Sequence, residues 1–178
     1  MSQFSSGRPQ RRAAVFACLS VVVLVADQAT KIWAQRALGH GESVRVIPGL
    51  LSLTLVRNPG ATLGMGSSRT WLIAVLAILA CVAIVALVVR TDSMIWTVAL
   101  ALGFSGALGN LIDRIAYATG FMDGKVVDFL DYGWSVGNVA DIALMVAGVL
   151  IVILVVLAIP FSSRGHVGDG SSPEVAGR

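Results

Sequence analysis

The sequence predicts a membrane all-α bundle of four transmembrane helices with a small β-sheet at the membrane surface, and three observations predict it. The chain is 56% hydrophobic and 13% charged, with a mean hydropathy of +0.84, which is too apolar for an ordinary soluble domain. Residues 71–89 hold no charge at all, and at ~1.5 Å rise per residue such a run nearly crosses the ~30 Å of bilayer hydrocarbon. Between the first two apolar runs the period changes: Leu51, Leu53 and Leu55 alternate with Ser52, Thr54 and Val56, and a period of two is the mark of a strand. One bundle uses up this length. A single membrane domain is therefore expected over 13–161, with a tail at 1–12, a β-rich insertion at about 39–66 and a disordered tail at 162–178.

Taken in order, Arg8, Arg11 and Arg12 precede the first apolar run and read as a cytoplasmic flank. Residues 13–26 are apolar before Asp27 intervenes. A cleaved signal peptide has the same charged lead and short core, but three longer spans downstream favour a retained helix reaching about Trp33. Asp27 and Lys31 then lie four apart on one face as a structural ion pair. Pro48 and Gly49 divide two short strand-like stretches, residues 44–47 and 50–56. Arg57, Asn58, Pro59, Gly60 and Ala61 make a turn in which Asn58 offers both a donor and an acceptor. The connection 90–93 is so short that the next helix, from Met94 to about Tyr117, must return antiparallel. At ~100° per residue, Gly103, Gly106, Ala107, Asn110, Arg114 and Tyr117 share one face of it. Two readings of that face stay open: helix packing with Arg114 snorkelling and Asp113–Arg114 as a surface pair, or a site. A polar connection, 118–137, leads to a fourth span over 139–161, where Asn138 and Asp141 have the spacing of a helix capping box. Trp33, Trp71 and Trp134 fit one interface and Trp96 the other. Four spans put both termini on one side, and the distribution of Lys and Arg does not decide which.

The net charge of +3 is scattered, without a basic stripe interleaved with aromatics, so nucleic acid is not an expected partner. Cys18 and Cys81 lie within apolar runs and read as small hydrophobes. The sequence offers no Ser/His or Cys/His arrangement, no metal-ligand cluster and no cofactor motif. What remains is a set of carboxylates and amides gathering at one level: Asp27, Asn58, Asn110, Arg114, Asp128, Asn138 and Asp141. A carboxylate in or beside hydrocarbon is costly, which marks a functional site. Asp128 and Asp141 are the pair expected to do chemistry, sharing a proton as two adjacent carboxyls do. A proton-relaying transporter would spread Asp27, Asp113 and Asp141 through the membrane, and a structural subunit would need no polar ring.

Four motifs, in order, carry a resemblance: Asp27-Gln-Ala-Thr-Lys31; Asn58-Pro-Gly60-Ala61; Gly106-Ala-Leu-Gly-Asn110-Leu-Ile-Asp113-Arg114; and Val127-Asp128-Phe129 followed by Asn138-Val-Ala-Asp141. Over residues 15–159 the chain resembles the lipoprotein signal peptidases, the type II signal peptidases of bacteria. The resemblance implies an aspartic endopeptidase of the cell membrane that removes signal peptides from diacylglyceryl-modified prolipoproteins, cutting on the amino side of the lipidated cysteine. By the same resemblance Asp128 and Asp141 are catalytic, while Asn58, Gly60, Asn110, Asp113, Arg114 and Asn138 bind substrate or brace the pair. It further implies cytoplasmic termini, an extracytoplasmic sheet and active site, contact with membrane lipids, and sensitivity to globomycin-type inhibitors. Thr62, Leu63 and Ser105 depart from the family pattern, where Ala, Phe and Gly are usual.

Overall fold

The computed structural model describes residues 7–60 and 70–162. Thr62 and Leu63 and the tail from 163 onward lie outside the described residues. The order is α1 (Gly7–Ala37), β1 (Ser43–Ile47), β2 (Leu51–Asn58), α2 (Thr70–Arg90), α3 (Met94–Ala116), β3 (Val126–Asp131), β4 (Val136–Gly137) and α4 (Val139–Val156). All four helices are long and apolar enough to cross a membrane. Helix α3 is the hub, packed against α1, α2 and α4 and by far the most buried of the four. The others turn Val21, Val25, Leu79, Val82, Val152 and Val155 outward, as lipid-facing surfaces require.

The glycine stripe of α3 is there for close approach. A Cβ on Gly106 would lie 2.5 Å from the Ala140 carbonyl oxygen, and one on Gly109 would lie 2.7 Å from Asp27 Oδ2 and 3.2 Å from Ala140 Cβ. These glycines let α3, α1 and α4 meet at the level of the polar residues. Ser105, one of the family departures, is buried and turns its hydroxyl back onto the Ala101 carbonyl at 2.5 Å, so the change is absorbed within the helix.

Several boundaries differ from expectation. Helix α1 begins at Gly7, so residues 7–12 are already helical ahead of the first apolar run. Helix α4 stops at Val156 and does not continue to Phe161. Ala158 takes a left-handed φ of 50°, Ile159 N donates back to Leu154 O at 2.9 Å, and Pro160 cannot extend the helix. Strand β2 runs on to Asn58, and residues 61–66 of the expected insertion lie outside the described residues. The connection expected to be merely polar contains β3 and β4, which complete an antiparallel sheet of order β1-β2-β3-β4. Residues 126–129 of β3 are buried on both faces, so they show none of the alternation by which β2 is recognised. Phe129 joins Ala34 and Leu38 of α1 in a small core, and Trp33 packs edge-on against its ring at 6.5 Å.

Candidate active site

Each polar residue is delivered by a specific local device. Asp128 lies on β3 opposite Val56 of β2 and is 1% exposed. Its Oδ2 accepts from Asn58 Nδ2 at 2.8 Å and its Oδ1 from Asn138 Nδ2 at 2.6 Å. The Asn58 amide cannot turn around, because its oxygen accepts from Gly60 N at 2.8 Å. Gly60 needs its φ of 97°, and a Cβ there would run into Ile73, which explains glycine at this position. Helix α3 moors the strand: Asp113 Oδ2 accepts from the backbone N of Val127 at 2.9 Å, one residue before Asp128.

Asp141 comes from the first turn of α4. The capping box is present, with Asn138 Oδ1 accepting from Asp141 N and Asp141 Oδ2 accepting from Asn138 N, each at 3.0 Å. The cap accounts for only part of what these side chains do. Asp141 Oδ1 also accepts from Asn110 Nδ2 at 2.8 Å, and Asn138 Nδ2, besides serving Asp128, donates to Asn110 Oδ1 at 3.1 Å. The two carboxyl groups are thus linked through two amides, Asn138 and Asn110. Burial pushes the Asp128 carboxyl up to about 6; the Asn58 and Asn138 hydrogen bonds and the Lys31 charge oppose this, while the Asp141 charge adds to it.

The pair expected from the spacing in α1 is formed, with Lys31 Nζ 2.9 Å from Asp27 Oδ2, and it belongs to a larger cluster. Lys31 also meets Asp113 Oδ2 at 3.0 Å and Asn110 Oδ1 at 3.1 Å. Asp27 Oδ1 accepts from Ala140 N at 2.9 Å, anchoring α4. The reading of Asp113 and Arg114 as a surface pair is therefore corrected: both are buried and Asp113 pairs with Lys31. Arg114 does not snorkel outward. Its Nη1 donates to Asn110 O at 3.2 Å, its Nε has no hydrogen-bond partner among the described residues, and Asp128, Asp113 and Asp141 lie within its electrostatic reach.

Two contributors escaped the sequence reading. Gln28 Nε2 donates to Asp27 Oδ2 at 3.0 Å and to Asp113 Oδ1 and Gly109 O at 3.3 Å; its place between Asp27 and Lys31 was the available signal. Arg57 stands 4.5 Å over the Tyr117 ring and donates to Gln35 Oε1 at 2.7 Å, tying β2 to α1 and α3 beside Asn58. No spacing rule joins residues so far apart. Among the described residues, no three His, Cys, Asp or Glu side chains are grouped to hold a metal ion.

The sequence model for signal peptidase II matches residues 19–157. The chain belongs to the signal peptidase II family. It is 63% identical over 158 residues to the lipoprotein signal peptidase of Bifidobacterium longum (strain DJO10A), a match covering 89% of this chain and 87% of that one. To the lipoprotein signal peptidase of Rhodococcus jostii (strain RHA1) it is 40% identical over 151 residues, covering 84% and 76%. A solved bacterial membrane enzyme superposes with a TM-score of 0.73 at 31% identity, covering 88% of this chain and 94% of that chain. The chain is thus a protease that removes signal peptides from prolipoproteins, and a multi-pass membrane protein of a bacterial cell.

Proposed function

We propose that Asp128 and Asp141 are the catalytic dyad of an aspartic endopeptidase, acting at the extracytoplasmic interface on diacylglyceryl-modified prolipoproteins and cutting on the amino side of the lipidated cysteine. The observation that carries this is the bridge: carboxyl groups from β3 and α4, linked through the Asn138 and Asn110 amides. Like charges joined through a buried network do not both ionise readily, so the pair holds one proton to a higher pH than two isolated carboxyls would. The ionised member takes a proton from water as its oxygen attacks the scissile carbonyl, and the protonated member donates to the carbonyl oxygen. On collapse the C–N bond breaks and the leaving nitrogen takes a proton from the pair. Asn58, Asn110, Asn138 and Asp113 hold the carboxyls in place. Gly60 sets the Asn58 turn, and Arg114 brings spare N–H groups to the same buried level. The test is cleavage of a lipidated precursor by purified protein, wild type against Asp128→Asn and Asp141→Asn.

The acyl chains hold the substrate cysteine at headgroup level, among membrane lipids, and that remote binding orients the scissile bond. Unlipidated precursor should be cut about a hundredfold less efficiently or worse, as a loss of orientation predicts. Equal kcat/KM for the two precursors would remove this part of the reading. Globomycin-type inhibitors compete for the same site.

Both termini are cytoplasmic in this reading, with 13–161 as the membrane peptidase domain and short tails outside it. The support is Arg8, Arg11 and Arg12 ahead of the first span. A reporter that works only in the cytoplasm should be active when fused after Arg178; activity solely from a reporter that works only outside would reverse the orientation.

A further inference from the structure

The ammonium of Lys31 is more than the counter-ion of Asp27. It is 1% exposed, and three oxygens surround it: Asp27 Oδ2 at 2.9 Å, Asp113 Oδ2 at 3.0 Å and Asn110 Oδ1 at 3.1 Å. An ammonium has three donors and no acceptor, so Asn110 can meet it only through its oxygen. The other end of that amide is then the NH2, which lies 2.8 Å from Asp141 Oδ1. The same Asn110 oxygen accepts from Asn138 Nδ2 at 3.1 Å, and that nitrogen also donates to Asp128 Oδ1 at 2.6 Å. A flipped Asn110 would set its carbonyl against the Asp141 carboxylate and its NH2 against both Lys31 and the Asn138 NH2. In a buried network such contacts are expensive.

We propose that Lys31 is a positioning residue for the dyad: by holding the Asn110 oxygen it fixes the polarity of the two amides that donate to Asp141 and Asp128. The proposal rests on the dyad reading of the site. Asp27 has the different task of anchoring α4 through Ala140 N; an isosteric Asn keeps an oxygen for that bond but turns its NH2 toward Lys31 Nζ and Gln28 Nε2, a cost to stability, while Asp113 and Asn110 still hold Lys31. The charged groups that bear on the dyad from the surrounding elements are Asp27 and Lys31 of α1, Asp113 and Arg114 of α3, Asp128 of β3 and Asp141 of α4.

The experiment compares wild type, Lys31→Met and Asp27→Asn as purified proteins, measuring kcat and KM for lipidated precursor between about pH 5 and pH 8. Lys31→Met is expected to lower kcat at least about tenfold while KM stays within about threefold. Its pH profile should move toward higher pH, because the cation favours the ionised form of Asp128. Asp27→Asn is expected to lower folded yield yet to keep kcat per folded molecule within about threefold of wild type. If Lys31→Met does not accumulate, the doubly substituted Asp27→Asn/Lys31→Met, which leaves the net charge of the cluster unchanged, takes its place with the same expected loss. Wild-type kcat with an unmoved pH profile in whichever Lys31 variant folds, or an Asp27→Asn loss equal to that of Lys31→Met, overturns the proposal. Cleavage retained by Asp128→Asn or Asp141→Asn is a separate result that removes the dyad, and the positioning role with it.

Discussion

Purified protein carrying Asp128→Asn or Asp141→Asn is expected to lose cleavage of a lipidated precursor by about a thousandfold or more, with the double variant only severalfold below either single one. Each substitution abolishes one of two roles that the mechanism needs together, the proton acceptor for water or the proton donor for the carbonyl, so the second loss has little left to remove. The expectation is specific because an Asn at either position keeps the size of the side chain. At Asp128 the new amide must set its NH2 against a donor, Asn58 or Asn138. At Asp141 the capping oxygen can be kept facing Asn138 N, but the NH2 then faces that of Asn110. One hydrogen bond lost in each case costs about 1–3 kcal/mol of stability, so thermal unfolding must be measured beside activity. Additive losses in the double variant, with folding intact, would mean that the residues act independently.

The second large effect is on stability. Asp128 has a folded pKa of about 6 against an ordinary value of 3.8. Between those values the folded chain binds the proton and the unfolded chain does not, so stability falls as pH rises from about 4 to about 6 and levels off above. The displacement corresponds to roughly 3 kcal/mol. The difference between wild-type and Asp128→Asn stability, measured in detergent across this window, should carry that loss, since the titrating groups other than its coupled partner Asp141 are common to both proteins. A difference that does not change between pH 4 and 7 would show that Asp128 is not held in a setting that favours its proton.

The helices were legible because hydrocarbon-spanning length and the absence of charge are written directly in residues such as 71–89, and β2 because its leucines alternate. The site was legible as far as local chemistry goes: Asp27 and Lys31 declare a pair by spacing, and Asn138 and Asp141 declare a cap. Strand β3 was not, since burial on both faces erases the period and Asp128 and Asp131 make the stretch look like a polar loop. What the spacing could not reveal is the second allegiance of each residue. Lys31 reaches Asp113 and Asn110 of another helix, Asn138 reaches Asp128 while capping α4, and Asp113 holds the backbone of β3. These links depend on Gly106 and Gly109 bringing three helices within contact, a packing fact that no single segment contains. The end of α4 was overrun because its apolar run continues past the point where Ala158 turns left-handed and the chain doubles back, with Ile159 and Phe161 presenting carbonyls to Trp96 and Thr91.

The most direct test of a shared proton between Asp128 and Asp141 is the pH dependence of kcat/KM for wild-type enzyme on lipidated precursor, which reports the free enzyme. A dyad predicts a bell whose two apparent pKa values belong to the pair, with the alkaline limb near the value of about 6 that burial and Asp141 impose on Asp128. A profile that passes flat through pH 6, or whose shape survives unchanged in the residual activity of Asp128→Asn and Asp141→Asn, would contradict it.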